Sequence, residues 1–252
     1  MIDRQTYATS PSVFSSCIRS GMSLHADDFD ALTFDCYGTL VDWATGISSA
    51  LQPVLQAHDV AVQDAELFRL YGRFERDVES GAYVNYREVL RRVVRRFGDH
   101  FGFTPTNAEL ERFAGSVGDW PLFDDTNAAL GRLAERYRLA IVSNVDDDLF
   151  LDTARHFLID FDEVITGEQV GRYKPALEPF EAAFTQLGVP PNRVLHVAQS
   201  VYHDLNPAGR LGLSCVWVQR YQKRFDPPAP RTDPILTVPD LSRLADTLLD
   251  ES

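Results

Sequence analysis

Residues 31–34 (ALTF) form a short apolar run that stops at Asp35, and the loop beyond it reads CYGTLVDW. Other apolar runs stop in the same manner. RLAIVSN ends at Ser143 and Asn144, the stretch after EVITGE carries Lys174 in YKP, and RVLHVAQS ends at Gln199 and Ser200 with His203 and Asp204 close behind. A carboxylate, an ammonium, hydroxyls, amides and an imidazole are the groups that perform nucleophilic and acid–base chemistry on small substrates. Each has a plainer reading by itself: Asp35, Ser143 or Asn144 as a helix cap, Lys174 before Pro175 as a solvated turn. Four such sets in order along the chain outweigh those readings, because loops at one edge of a parallel sheet converge in space.

The runs that carry these groups span 31–36, 138–144, 163–168, 193–200 and 213–219, with a shorter one at 235–238. All are apolar and of strand length. Helical patterns fill 124–136, 147–157, 177–187, 204–211 and 239–249. Strand and helix alternate, so the pattern predicts an α/β fold, a doubly wound parallel sheet with helices on both faces. Residues 46–118 break the rhythm with helical segments and no strand between them. They predict a helical cap, inserted after the first strand and lying over the sheet's carboxyl edge, where ligands bind in open α/β sheets. The expected division is a flexible tail over 1–24, a core made of 25–45 and 119–252, and a cap over 46–118. Within the cap, REVLRRVVRR reads as a solvated face over buried Val and Leu. The acidic run at 146–148 reads as a helix N-terminus, and RFDPPAPRTDP as a surface loop.

Composition narrows the function classes. A chain of 252 residues with 44% hydrophobic content has enough apolar material for one large core or two modest ones. A formal net charge of -13, from 37 acidic against 24 basic side chains, argues against non-specific nucleic-acid or anionic-membrane binding. A few converging Arg and Lys residues still suffice for a small anionic substrate. The cysteines Cys17, Cys36 and Cys215 form neither a zinc pattern nor an even disulfide framework, which fits a reducing, cytoplasmic setting. Cys36 alternates away from Asp35 and reads as packing. No run reaches the ~18 to 20 apolar residues of a membrane helix.

The ordered set DCYGTL, VSN, YKP and AQSVYHD, with a helical segment inserted after the first, resembles the haloacid dehalogenase superfamily from residue 30 to about 220. The resemblance implies a Rossmann-like core, hydrolase activity and Asp35 as the nucleophile. It implies a catalytic set of Asp35, Lys174, Asp204, Ser143, Asn144 and His203. Lys174 keeps Asp35 ionised, an attraction of ~4 kcal/mol for charges about 4 Å apart at an effective dielectric of 20. Ser143 and Asn144 donate to the substrate's carboxylate or leaving group. Asp204, or else His203, activates the hydrolytic water. Around the substrate the expected residues are Tyr37, Gly38, Thr39, Leu40, Trp43, Gln199 and Ser200, with Gly38 allowing a sharp turn that faces backbone N–H groups to the site. From the cap, Arg69 is expected to grip halide or carboxylate, with Arg73 as its rival and Tyr71 and Phe74 as apolar walls.

Two positions refine the chemistry. Phosphatases of the superfamily carry a second Asp two residues after the nucleophile, to protonate a leaving alkoxide, and Tyr37 stands there instead. A halide leaves as a stable anion and needs no proton. Magnesium-dependent members use an Asp where this sequence has Gln199, and a neutral amide suits Mg²⁺ poorly. The expectation is thus a 2-haloacid dehalogenase-like enzyme with no metal and no cofactor, acting on a small anionic carboxylic acid, and compatible with a homodimer. The sequence departs from that branch at Gln199, Ser200, His203 and Phe180. Those departures leave three alternatives: displacement that opens a strained ring such as azetidine-2-carboxylate, a magnesium-dependent phosphatase, or a non-catalytic relic of the fold.

Overall fold

The computed structural model describes residues 25–221 and 229–249. The expected tail over 1–24 with its Cys17, and residues 224–228 of the proline-rich loop, lie outside the described residues.

Six strands form one sheet: β1 (Ala31–Phe34), β2 (Arg138–Ser143), β3 (Glu163–Thr166), β4 (Val194–Ala198), β5 (Ser214–Val218) and β6 (Leu236–Val238). All neighbours are parallel, in the order β3-β2-β1-β4-β5-β6. The strands are short and their central members buried on both faces, which is why they read as continuous apolar runs instead of alternating ones. From β1 the chain passes to β2 on one side and later to β4 on the other. The crevice at this reversal opens beyond the carboxyl ends of β1 and β4. Phe34 stands level with Ile141 and Val197, so Asp35 leaves the sheet between two neighbours that end beside it.

Ten helices complete the chain: α1 (Trp43–Ala57), α2 (Asp64–Glu79), α3 (Tyr86–Phe101), α4 (Asn107–Ala114), α5 (Thr126–Ala134), α6 (Asp147–Ala154), α7 (Gly167–Val170), α8 (Glu178–Leu187), α9 (Asn206–Arg210) and α10 (Leu241–Leu249), counted among the described residues. Helices α1 to α4 make up the inserted segment, with α1 beginning three residues before the expected boundary. The α3 arginines form ion pairs, Arg91, Arg92 and Arg95 with Glu88 and Arg96 with Asp77, over buried Val89, Leu90, Val93 and Val94. They line a solvated face as expected.

The acidic run at 146–148 does more than favour its own helix. Asp146 is buried and accepts the backbone N–H groups of Tyr86 (2.6 Å) and Arg87 (2.9 Å), so a core residue caps the first turn of α3. Asp148 pairs with Arg87. These contacts fasten cap to core.

Trp120, 2% exposed, lies flat against α1, and a Cβ on Gly46 would stand 2.2 Å from its ring. Only glycine permits that approach. Gly46→Ala is therefore expected to cost about 1–3 kcal/mol by overpacking, read as a lower denaturation midpoint. An unchanged midpoint would show that Trp120 moves aside freely.

Candidate active site

Asp35 follows β1 directly, its N–H donating to the Val197 carbonyl at 3.1 Å. Both of its carboxylate oxygens are held. Oδ1 accepts from Lys174 Nζ at 2.9 Å, and Oδ2 from Thr39 Oγ1 at 2.7 Å. Lys174, 1% exposed, also donates to Asp204 Oδ1 (2.7 Å) and to the Val142 carbonyl (2.7 Å). One ammonium thus serves two buried carboxylates. Asp204 Oδ1 lies 3.1 Å from His196 Nε2, and His196 Nδ1 lies 2.9 Å from Thr33 Oγ1. Thr33 and His196 are register partners on β1 and β4. They are buried polar residues in otherwise apolar strands, and that oddity was the signal by which the sequence reading, which did not name His196, would have found it.

Burial raises the Asp35 carboxyl above its ordinary value, with Lys174 opposing it. Burial also opposes ionisation of Asp204, but Lys174 and His196 outweigh it and hold that carboxyl low. Lys174 loses by burial and gains more from Asp204 and Asp35, so its ammonium is retained far into alkali. At neutral pH the arrangement is an ammonium between carboxylates, with Asp35 facing a cavity.

The cavity measures about 570 Å³ and separates the sheet edge from the cap. Of the expected residues, Asp35, Tyr37, Trp43, Tyr71, Ser143, Asn144, Lys174, Gln199, Ser200 and His203 line it. Trp43 stacks on Tyr71 at 6.1 Å and meets Phe68 edge-on at 5.4 Å, which gives the chamber its aromatic side. Ser143 is 3% exposed and its Oγ has no hydrogen-bond partner. Asn144 Oδ1 accepts the Lys174 N–H (2.7 Å) while its Nδ2 donates to the Lys174 carbonyl (3.0 Å) and to Glu79 (3.2 Å), so it clamps the lysine's main chain.

The Tyr37 hydroxyl bonds Thr153 Oγ1 at 2.9 Å and the ring packs edge-on against Trp120. Burial pushes the phenol well above its usual range. A phenol so held is no proton donor for a leaving group.

Several expectations need correction. Thr39 and Leu40 are fully buried and, with Gly38, are absent from the cavity wall; Thr39 acts on Asp35 and on the Gln199 N–H (2.9 Å), and Leu40 is core. The backbone N–H groups of Gly38, Thr39 and Leu40 do not face the site, because they close the loop onto Val41 and Cys36 carbonyls. Gly38 is required for another reason. It has φ +106°, and a Cβ there would stand 2.8 Å from the Trp43 ring. Arg69 lies on the cavity rim, but its guanidinium is exposed and pairs twice with Glu66 (2.7 and 2.6 Å), one turn away. Arg73 lies over Phe74, which packs inside the cap against Phe97. Neither arginine grips the site. Asp204 is 0% exposed and does not line the cavity, so it reaches the chamber only through Lys174 or a water.

A five-residue π-helical turn, Val201–Leu205, lies between β4 and α9. The expected helix over 204–211 thus begins three residues earlier, and its first turn is π-helical. The wider turn lets successive residues point to different places: His203 to the cavity, Asp204 beneath Lys174. His203 Nδ1 lies 3.0 Å from Ser200 Oγ, and its Nε2 lies 3.4 Å from Glu79 Oε2. Burial disfavours its charge, but Glu79 and Glu75 raise it above the ordinary histidine value.

The cap residues Glu75, Arg76 and Glu79 line the cavity and went unnamed in the sequence reading. Their signal was spacing, since Phe68, Gly72, Glu75 and Glu79 recur at three and four residues beside the apolar stripe of α2.

The donors do not suit a magnesium ion. Both carboxylates share an ammonium, Gln199 is neutral, and among the described residues no group of three or more His, Cys, Asp or Glu is placed to hold a metal. No described helix is long and apolar enough to cross a membrane.

Comparison with known proteins agrees with this geometry. The chain is 26% identical over 231 residues to an (S)-2-haloacid dehalogenase of Pseudomonas putida, covering 88% of this chain and 98% of the relative. The solved structure of an L-2-haloacid dehalogenase superposes with TM-score 0.75 at 26% identity, covering 87% of this chain and 99% of the other. That of a defluorinating L-2-haloacid dehalogenase gives TM-score 0.74 at 26% identity, covering 87% and 95%. The profile of the haloacid dehalogenase-like hydrolases matches residues 29–212. With the motif residues assembled at one sheet edge and most of its length matched by that profile, the chain belongs to the haloacid dehalogenase-like hydrolase family.

Proposed function

We propose that this hydrolase displaces a leaving group from C2 of a small carboxylic acid, with Asp35 as nucleophile and no divalent ion. One observation carries the reading: Asp35 is clamped by Lys174 and Thr39 at the cavity floor, while the residue two positions on, Tyr37, is a buried phenol tied to Thr153 and too weak an acid to protonate a leaving group. An alkoxide leaving group needs that proton, and a halide does not. The relatives named as 2-haloacid dehalogenases, matched over nearly their whole length, support it.

In the first step an Asp35 oxygen bonds to C2 as the C2–halogen bond breaks and halide carries off the electron pair. Trp43, Tyr71 and Phe68 exclude water meanwhile. In the second step water adds to the Asp35 carboxyl carbon and gives up one proton, the bond from that carbon to the substrate oxygen breaks, and the departing oxygen takes a proton to leave as a 2-hydroxy acid while Asp35 releases the second water proton and is a carboxylate again. Once Asp35 is esterified, Asp204 is the carboxylate remaining on Lys174. Its Oδ2 has no hydrogen-bond partner, and we assign it to receive the attacking water's proton through a bridging water and to return it to the departing oxygen.

Single turnover of 2-chloropropionate in ¹⁸O water tests the scheme. The peptide containing Asp35 is expected to gain ¹⁸O before free product does, and Asp204→Asn is expected to accumulate the ester as a mass adduct. Label that enters product alone, with none in Asp35, would sink the ester route. Absence of an adduct in the Asp204 variant, with hydrolysis at full rate, would remove Asp204 from the second step.

A further inference from the structure

Helix α2 gives the cavity wall two carboxylates, Glu75 and Glu79, beside the exposed arginines Arg69 and Arg76. Glu75 and Glu79 sit four residues apart on α2 and so share a face, and both line the chamber opposite Asp35. Glu75 Oε1 accepts from the hydroxyls of Tyr71 (3.0 Å) and Tyr86 (2.7 Å). The Glu79 side chain is 6% exposed; Oε1 accepts from Asn144, while Oε2 has no hydrogen-bond partner. His203 Nε2 stands at ion-pair distance from that oxygen, 3.4 Å, but is itself without a hydrogen bond. Distance alone makes this pair an attraction, and its geometry leaves both atoms unsatisfied.

Two half-buried carboxylates with one imidazole beside Glu79 are an unusual wall for a chamber meant only for an anion. Buried charges are ordinarily paired and hydrogen-bonded. Burial, and then the neighbouring Glu79, raise Glu75 to about 7 against the opposing pull of His203. Arg69, the cap arginine that would have reversed the sign, is turned away onto Glu66. Arg76 lies at the exposed rim, with its guanidinium 5.9 Å from the Tyr202 ring.

We propose that Glu75 and Glu79 form a cation subsite, so that the substrate attacked by Asp35 carries a protonated amine, as an amino-acid-like zwitterion does. The inference rests on the reading of this cavity as the active site. The ammonium lies against Glu79 Oε2 and Glu75, and the carboxylate is left to the unpartnered Ser143 hydroxyl and to Arg76. This assignment gives two of the cavity groups without a hydrogen bond, Glu79 Oε2 and Ser143 Oγ, a partner each. It also accounts for a cap that offers no inward-turned arginine at Arg69.

Calorimetric titration at pH 7.5 with a matched pair of non-reacting probes, isobutylammonium and isobutyrate, tests the wall without turnover. Isobutylammonium is expected to bind the wild-type protein at least tenfold more tightly, and Glu79→Gln is expected to weaken it about tenfold while leaving isobutyrate unweakened. Equal or tighter binding of isobutyrate by the wild type, no binding of isobutylammonium, or a Glu79→Gln protein that binds isobutylammonium as before would overturn the subsite. The wild-type comparison decides the matter even if the variant fails to fold. Because the isotope experiment reads Asp35 and this one reads the cap wall, either can fail while the other stands.

Discussion

Asp35→Asn is expected to abolish turnover, by at least 10⁴-fold in kcat and on the order of 10⁶-fold if it behaves as nucleophile loss does in other covalent hydrolases. Stability should not fall with activity. The asparagine keeps an oxygen for Thr39 and removes a carboxylate whose ionisation burial already opposes, while Lys174 retains Asp204. Steady-state kinetics beside a denaturation curve separates the two effects. A variant that loses activity only in proportion to its unfolded fraction would make Asp35 a structural residue.

Lys174→Met is expected to damage both. Removing one partner of a buried ion pair typically costs about 3–5 kcal/mol, and here it leaves Asp35 and Asp204 buried without the ammonium they share. A kcat/KM loss of roughly 10³-fold is expected from the lost charge stabilisation of the nucleophile.

The pH profile gives the mechanism away from the magnitude. Asp35 attacks only when ionised, so kcat/KM rises with pH through its pKa. In the wild type that acid limb lies above the ordinary carboxylate range, because burial outweighs Lys174. The groups that set it are Lys174, Asp204 and the Thr39 hydroxyl. Without the lysine only the Thr39 hydroxyl still opposes the desolvation, so the limb moves to higher pH. The stability profile shifts in the same direction for a different reason. Asp204 is held below its unfolded value, so its contribution is present above about pH 4 and is lost as pH falls through its lower folded value. Lys174→Met removes the largest of the causes of that depression, leaving His196, and acid unfolding should begin earlier, at higher pH. A variant with an unmoved acid limb and an unmoved acid-unfolding midpoint would refute Lys174 as the partner of both carboxylates.

The fold was legible because its signals are local. A buried parallel strand is a continuous apolar run, and all six runs fell on strands within two or three residues at either end. The third overran: EVITGE ends its strand at Thr166, and Gly167 opens α7, since the Thr166 hydroxyl accepts the Gln169 N–H and caps a helix there. The cap was legible for a similar reason, as four amphipathic repeats without a strand.

The sequence alone determined that Asp35, Ser143, Lys174 and Gln199 would meet, because parallel topology carries every strand's carboxyl end to one edge. It did not determine where side chains turn after they arrive. Whether Arg69 faces the chamber or Glu66, whether Thr39 faces substrate or Asp35, and whether α2 offers the cavity a cation or Glu75 and Glu79 are matters of helix rotation and rotamer, set by packing between cap and core. Those contacts join residues far apart in the chain, as Asp146 does in capping α3 from the core. No periodicity within one segment records them, so only the tertiary structure decided the charge of the wall that Asp35 faces.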